Sequence, residues 1–197
     1  HVKTAYMADD EELFYYEDLP HERVSGMTRA YVKIQEGCDQ FCAYCAIPYA
    51  RGPLRSRSEQ DTIDEINMLV ERGYKEVILT GIHIGAYGRG VKDETCDLTG
   101  LCRRILDETA IERLRIGSLE GIEVTDALIE MIASDERMAK HLHLPLQSGC
   151  DRTLSAMRRP YDTEQFREMM RRIRGKVPNI AITTDLMVGF PGETDED

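Results

Sequence analysis

Three closely spaced cysteines, Cys38, Cys42 and Cys45, are the residues of this chain best suited to chemistry. They directly follow a strand-like segment at 31–35. Three thiolates so close in sequence can converge on one metal centre, yet zinc sites and ordinary iron–sulfur clusters take four protein ligands. A cubane cluster held by only three cysteines leaves one iron open to bind a substrate or a cofactor. The spacing therefore predicts a centre that performs chemistry.

The elements that must position these cysteines alternate between strand and helix. Apolar periodicity predicts strands over 30–35, 76–80, 113–118, 141–146 and 180–188, and helices over 58–73, 98–109, 125–134 and 163–175. Ser58 is suited to cap the first of these helices and Gly73 to end it. Such alternation predicts an α/β fold with a parallel sheet, which right-handed crossovers would curl into a barrel or part of one.

A polar or glycine-rich segment follows each predicted strand. In a parallel sheet these segments meet at one edge, where the active sites of such folds lie. Besides the cysteine loop, the segments are 80–83, 117–120, 145–149 and 189–193. We therefore expect an active-site mouth built from five loops, in which glycine lets a ligand approach the backbone closely.

Composition narrows the class of protein. The 197 residues are 42% hydrophobic and 31% charged, which fits a soluble globular domain with a core. No apolar run reaches the roughly 18 residues that a membrane helix needs, and no signal peptide opens the chain. The six cysteines lack the spacing of a disulfide framework, which favours the reducing cytoplasm.

Charge is unevenly distributed along the chain. The net charge of −11 argues against a generic nucleic-acid binder. Basic residues nevertheless outnumber acidic ones in 29–57 and 152–176. Arg51, Arg55 and Arg57 lie close to the cysteines in sequence. We expect them to engage a phosphate or carboxylate partner; the alternative is a solvated loop.

The ends of the chain indicate a fragment of a longer protein. Residues 1–28 are polar and acidic without sustained periodicity, and we interpret them as a linker from an upstream domain. The last residues, 191–197, resemble the acidic first turn of a helix. Residues 29–197 would then form the regular core, incomplete at its C-terminus.

The CxxxCxxC loop, with aromatic Tyr44 before its last cysteine, resembles the radical S-adenosylmethionine (SAM) superfamily, and the resemblance covers residues 29–197. It implies a partial parallel (βα) barrel in which Cys38, Cys42 and Cys45 ligate a [4Fe–4S] cluster. The fourth iron would chelate the methionine moiety of SAM, and one electron from the cluster would generate a 5′-deoxyadenosyl radical. In such enzymes the cofactors carry the hard chemistry, while the protein positions and shields them.

Seven residues in the predicted loops are candidates for binding SAM: Tyr44, Gly81, Ser118, Glu120, Gln147, Gly189 and Gly192. By resemblance, Tyr44 and the backbone of 189–192 contact the adenine. The three polar residues would lie near the ribose or the methionine moiety. Each assignment has a plainer alternative. Tyr44 would be a core aromatic, 189–192 a simple turn, and the three polar residues caps of the helices that follow them.

Within that superfamily the chain resembles the methylthiotransferases. The similar stretches are 33–38 (KIQEGC), 47–53 (IPYARGP) with 55–57 (RSR), 143–149 (HLPLQSG) and 188–194 (VGFPGET). The loop 79–88 (LTGIHIGAYG) is most similar to the branch that converts N6-threonylcarbamoyladenosine in tRNA to its 2-methylthio form. Sister branches, which act on isopentenyladenosine in tRNA or on an aspartate of a ribosomal protein, are the alternatives.

This resemblance also implies partners and further domains. The substrate would be the tRNA anticodon loop, and the electron donor a protein such as flavodoxin or ferredoxin. An upstream domain would carry three more cysteines for a second [4Fe–4S] cluster, and a downstream β-domain would bind RNA. Cys96, Cys102 and Cys150 lack the spacing of that upstream set, so we do not assign the second cluster to them. We expect the fragment alone to bind the cofactor poorly or to perform only part of the reaction.

Two plainer interpretations of the cysteines stay open. One is a zinc site completed by a distant ligand such as His83, or simply three buried thiols. The other is a non-catalytic metal module such as an electron carrier, which would need a fourth cysteine nearby. We interpret His83 and His143 as structural, and the helical run Arg167, Arg171 and Arg174 as a solvated face.

Overall fold

The computed structural model describes residues 28–89 and 96–197, so nearly all of the predicted linker lies outside the described residues. Four strands form one sheet in the order β2-β1-β3-β4. These strands are β1 (Arg29–Glu36), β2 (Arg55–Ser56), β3 (Glu76–Gly81) and β4 (Arg113–Ile116). β1, β3 and β4 are parallel, whereas β2 pairs antiparallel with β1. A second, parallel pair consists of β5 (His141–His143) and β6 (Ala181–Thr183).

Isolated β-bridges connect the two sheets. Leu114 pairs with Met138, and Ser118 pairs with His143, both in parallel orientation. The Leu119 amide also donates to the His143 carbonyl at 3.0 Å. The strands therefore form one curled, mostly parallel half-barrel, which confirms the predicted α/β partial barrel.

The longer helices match the sequence prediction. They are α2 (Glu59–Glu71), α3 (Leu98–Glu108), α4 (Asp126–Ser134) and α6 (Thr163–Lys176). Each begins at a side chain that accepts a hydrogen bond from an amide in the first turn: Ser58, Asp97, Thr125 and Asp162. Such caps satisfy backbone donors that have no partner within the helix, and thus fix where the helix begins.

The short elements differ from the prediction. The sequence analysis did not predict α1 (Ile47–Arg51), α5 (Asp151–Ala156) or β2, because elements of two to six residues are too short to show a period. The last two predicted strands are shorter than expected, since β5 and β6 have three residues each. Beyond them the chain stays partly paired, through a bridge between Gln147 and Leu186.

One apolar core lies between the sheet and the helices. Its residues on β1, β3 and β4 and on α2 and α3 are almost fully buried, among them Val32, Ile34, Leu79, Leu114, Ile66, Leu101 and Ile105. Cys102 of α3 belongs to this core, and its burial raises the pKa of the thiol to about 12. Cys102 therefore has a packing role. Among the described helices, none is long and apolar enough to cross a membrane.

Gly81 ends β3 at a crowded position and gives a test of this packing. A Cβ there would lie 2.7 Å from both the Gln35 carbonyl oxygen and Ile84 Cγ2. We expect Gly81→Ala to lower the free energy of unfolding by about 2 kcal/mol, because the backbone of β1 must shift. At Gly175 in α6 a Cβ would meet nothing within 4 Å. Because alanine favours the helix over glycine, Gly175→Ala should raise the free energy of unfolding by about 0.5–1 kcal/mol. Urea unfolding checks both; effects of the same sign would contradict this packing.

Candidate functional site

A cavity of about 160 Å³ lies where the loops after β1, β3, β4 and β5 meet. The segment after α5 completes its wall. Seven of the predicted site residues line it: Cys38, Cys42, Tyr44, Cys45, Ser118, Glu120 and Gln147. The structure thus brings together four of the five predicted loops.

Polar and glycine residues at the end of β1 fix the cysteine loop. The buried Gln35 amide donates to the carbonyls of Glu36 and Gly37 at 2.7 and 2.9 Å. Gly37 has a φ of +74°, and a Cβ there would lie 1.8 Å from the Pro53 carbonyl oxygen. Only glycine allows this turn against the facing segment. The direction of the loop is therefore set before its first cysteine.

Each of the three cysteine sulfurs accepts a hydrogen bond. The amides two residues further along lie 3.4 Å from the sulfurs of Cys38 and Cys45, and Arg159 Nη1 lies 3.3 Å from Cys42 Sγ. All three thiols are free and partly buried. N–H donors stabilise the thiolate, which is the form that ligates metals. This arrangement fits a metal centre bound through all three sulfurs.

The three cysteine sulfurs do not form one tight group. Among the described residues, the only group of three potential ligands with all donor atoms within 4.8 Å of one another is Cys38, Asp39 and His83. At least one pair of cysteine sulfurs is therefore more than 4.8 Å apart, which is compatible with a cluster whose sulfur ligands bind different irons.

His83, which we interpreted as structural, lies against the first cysteine. Its Nδ1 is 3.7 Å from Cys38 Sγ and its Nε2 is 2.8 Å from a Glu123 carboxylate oxygen. Its backbone amide donates to Gln35 Oε1 at 2.6 Å, which connects the ends of β1 and β3. Burial lowers the pKa of His83, but the contacts with Cys38 and Glu123 outweigh it and raise the pKa to about 10. The imidazole is therefore a cation beside the cysteine loop.

Arg159 is a charged residue of the cavity that could not be picked out from the sequence. Its side chain is 2% exposed and forms an ion pair with Glu120. It also donates to Tyr161 Oη at 3.1 Å and lies 3.2 Å from Tyr44 Oη. Burial lowers the pKa of Arg159, but Glu120 and Tyr161 outweigh this effect and raise it, so the guanidinium stays charged. For the Glu120 carboxyl, burial raises the pKa. Arg159 acts in the opposite direction, but the pKa stays above its usual value.

The sequence held one weak signal for Arg159. It lies in an arginine–proline–tyrosine run just after α5, within the basic segment 152–176. Most of that segment is indeed at the surface: Arg167 and Arg171 are exposed and pair with Glu164. Charge counting alone therefore cannot separate the one buried arginine from its exposed neighbours.

Gln147 holds an unusual backbone conformation in the cavity wall. Its φ is +69°, in the left-handed region that costs a non-glycine residue of the order of 1–3 kcal/mol. Hydrogen bonds on both sides hold it there: its amide donates to Asp185 at 2.9 Å, and the Met187 amide donates to its carbonyl at 2.7 Å. Strain of this kind concentrates at functional sites.

The three predicted glycines do not line this cavity. Gly81 ends β3, and its neighbours Ile82 and His83 are the residues that reach the wall. Gly189 and Gly192, with φ of +78° and +88°, form a separate turn. A contact of these glycines with SAM stays a prediction.

The three predicted arginines have different surroundings. Arg51 is half exposed and binds Glu36 through two hydrogen bonds of 2.7 and 2.8 Å, and Arg55 donates to the Arg51 carbonyl at 3.1 Å. Burial raises the pKa of Glu36, but the contacts with Arg51 and with Lys33 prevail and lower it to about 2. Arg57 is buried and ion-paired with Glu65, which gives it a structural role.

The Arg159–Glu120 pair allows a second test. We expect Arg159→Met to lower the free energy of unfolding by about 3 kcal/mol, because it leaves a carboxylate buried without its cation. Glu120→Gln in the same background should recover part of that loss. Arg152→Met is the control, since Arg152 pairs with Asp197 at the surface and should matter little. Equal effects of Arg159→Met and Arg152→Met in urea unfolding would refute the assigned burial.

Comparisons with known proteins agree with this geometry. The model of the Radical SAM superfamily matches residues 32–197. The threonylcarbamoyladenosine tRNA methylthiotransferase MtaB of Bacillus subtilis is 43% identical over 184 residues, which is 92% of this chain and 40% of that protein. A tRNA-2-methylthio-N(6)-dimethylallyladenosine synthase of Desulforamulus reducens is 44% identical over 181 residues, covering 92% of this chain and 39% of that protein.

Solved structures support the same fold. The radical S-adenosylmethionine methyltransferase TsrM of Kitasatospora setae superposes with a TM-score of 0.66 at 18% identity, over 85% of this chain and 32% of that chain. The chain spans about two fifths of the length of the curated relatives it matches. On the match over residues 32–197, the chain belongs to the radical SAM superfamily, whose cofactors are a [4Fe–4S] cluster and S-adenosylmethionine.

Proposed function

We propose that this chain is the catalytic core of a tRNA methylthiotransferase that converts N6-threonylcarbamoyladenosine, next to the anticodon, to its 2-methylthio form. The observation that carries the proposal is the convergence of the three cysteines with Tyr44 and Glu120 in one cavity. The identity of 43% to MtaB over 92% of the chain supports this substrate.

In this proposal Cys38, Cys42 and Cys45 would hold the cluster, with SAM bound beside it in the same cavity. No further cysteine is in place to close the site. Cys102 is in the core, Cys96 and Cys150 do not line the cavity, and these complete the six cysteines. An electron carrier with a closed four-cysteine cluster is therefore disfavoured. When bound, the two cofactors would supply a carbon radical able to take the hydrogen atom from the unactivated C2 of adenine, where acid–base catalysis has no route.

The chain's own residues bind, orient and shield the cofactors. Backbone amides and Arg159 donate hydrogen bonds to the three cysteine sulfurs. The ion pair between Arg159 and Glu120 allows both charged groups to lie at the cavity. Ser118, Glu120 and Gln147 offer oxygen and amide groups for the ribose or the methionine moiety. Tyr44 offers an aromatic ring for the adenine.

A sister substrate is the second candidate. The dimethylallyladenosine synthase of Desulforamulus reducens is as similar to this chain as MtaB, at 44% identity. The two tRNA substrates differ in the N6 substituent while the reacting carbon is the same, so the residues around the cluster do not distinguish them. An aspartate of a ribosomal protein is the third candidate substrate, and no feature of the described residues favours it.

The proposal includes the rest of the protein. We place residues 1–28 as a linker from an upstream domain with the second [4Fe–4S] cluster, and an RNA-binding domain downstream. Arg51 and Arg55, beside the cysteine loop, are suited to phosphates of the anticodon loop. An electron donor such as flavodoxin or ferredoxin would reduce the cluster in the cytoplasm.

Removal of single cysteines tests the cluster. After anaerobic reconstitution we expect about four irons and four sulfides per chain, with an EPR signal that changes when SAM is added. Cys42→Ala should lose this iron and the reductive cleavage of SAM, because two ligands cannot hold the cubane. Cys102→Ala, with its buried thiol outside the cavity, should retain both. Stoichiometric zinc with no uptake of iron would contradict the proposal.

Nucleoside mass spectrometry tests the substrate. In tRNA from a deletion strain, we expect 2-methylthio-threonylcarbamoyladenosine to disappear and its unmethylthiolated precursor to accumulate. Complementation with the Cys102→Ala gene should restore the product, whereas Cys42→Ala should not. Loss of the isopentenyl analogue instead, or an unmodified ribosomal-protein aspartate with intact tRNA, would assign the protein to a sister branch.

A further inference from the structure

Two aromatic side chains beside the cavity are exposed. The Phe41 and Tyr49 side chains are 50% and 78% exposed, and their rings meet edge to face with centroids 5.4 Å apart. Aromatic rings of this size are normally buried, because they carry most of the apolar area of a core or an interface. An exposed aromatic pair next to a cavity therefore marks a surface that binds something.

The pair lies at the rim of the cavity. Phe41 stands between Gln40 and Cys42, and both of these neighbours line the cavity. Tyr49 is in α1, whose first residue, Ile47, also lines it. A flat ligand on these two rings would therefore be in contact with the molecule held inside the cavity.

The surroundings of the pair are basic, although the chain as a whole is acidic. Lys33 and Arg51 both contact the carboxylate of Glu36, and Arg55 donates to the Arg51 carbonyl. Arg158 is exposed one residue beyond Met157, whose carbonyl binds the Ala43 amide of the cysteine loop at 3.0 Å. With Asp39 as the other nearby carboxylate, these four cationic side chains outnumber two acidic ones, which suits a phosphate backbone.

We propose that Phe41 and Tyr49 form a stacking surface for an unpaired nucleobase of the RNA loop that carries the modified adenosine. This inference rests on the proposed tRNA substrate and places a second nucleotide beside it. Bases of RNA loops can be splayed apart and stacked on aromatic side chains, while nearby cations hold the phosphates. Stacking tolerates any base, so this surface contributes affinity and orientation, and the cavity selects the modified nucleotide.

Substitution of the rings can distinguish a bound nucleobase from a bound protein surface. A protein partner, or another part of the full-length chain, would bury the rings as apolar area, and leucine would replace them well. A nucleobase needs the flat π-face, so phenylalanine replaces tyrosine and leucine does not. Substitutions at Tyr49 are the better probe, since its side chain is the more exposed and lies outside the CxxxCxxC spacing.

The experiment measures binding of an anticodon stem-loop RNA with N6-threonylcarbamoyladenosine to the full-length, cluster-loaded protein. We expect Tyr49→Ala and Tyr49→Leu to raise the Kd about tenfold and Tyr49→Phe to leave it nearly unchanged. Phe41→Leu should act in the same direction. Tyr31→Ala is the matched control: it is 49% exposed but precedes the end of β1 by five residues, about 16 Å along the strand. Cleavage of SAM without RNA should be the same in all Tyr49 variants.

Four results would overturn the inference, and they are distinguishable. Wild-type affinity in Tyr49→Ala and Tyr49→Leu, with normal tRNA modification, would refute the stacking surface and leave the proposed function intact. A loss in Tyr49→Ala that leucine repairs, with a lower thermal midpoint, would identify a contact within the full-length chain. Slower reduction by flavodoxin but not by dithionite would identify a docking site for the electron donor. Absence of RNA binding and tRNA modification by the wild-type protein that still cleaves SAM would refute the proposed function together with this inference.

Discussion

Parallel pairing of β1, β3 and β4 is the constraint on which the site depends. In a parallel ladder the carboxyl ends of neighbouring strands meet at the same edge, so loops that are distant in sequence become neighbours. The register places Val32 opposite Leu79, and Leu79 opposite Ile116. A slip of two residues would keep the apolar faces buried, yet it would displace one loop by about 7 Å. The contact between His83 and Cys38 would then be lost, although the core would survive.

Two buried cations contact the sulfurs of the cysteine loop. His83 lies beside Cys38 and is backed by Glu123, whereas Arg159 lies beside Cys42 and is backed by Glu120. A buried charge is costly unless it is paired, so each cation has one strongly preferred position. The same two side chains contact the sulfurs of Cys38 and Cys42. The groups that position the loop therefore also form the polar surroundings of its sulfurs.

The sequence allowed the architecture to be predicted because its signals are local. A capping residue such as Ser58, followed by periodic apolar positions, indicates a long helix, and the alternation of such helices with strands indicates the parallel sheet. The cysteine spacing likewise identifies the centre of the site. Arg159 could not be predicted, because its importance arises from burial against Glu120, a partner 39 residues away. Arg57 was predicted to engage a phosphate or carboxylate partner near the cysteines, because its pairing with Glu65 inside the protein leaves no mark in the sequence.

Pairing of the cations also explains how an acidic chain can act on RNA. Of the arginines near the site or the sheet, Arg57 binds Glu65, Arg115 binds Glu76 and Arg159 binds Glu120. Each pair removes a charge that would otherwise attract any phosphate backbone, and the net charge of −11 repels what remains. An RNA held by charge alone would leave such a surface quickly. Stable binding at the cavity must then come from contacts that depend on the shape of the RNA and on its exposed bases. Such contacts also give specificity, because phosphates are the same in every RNA whereas bases differ.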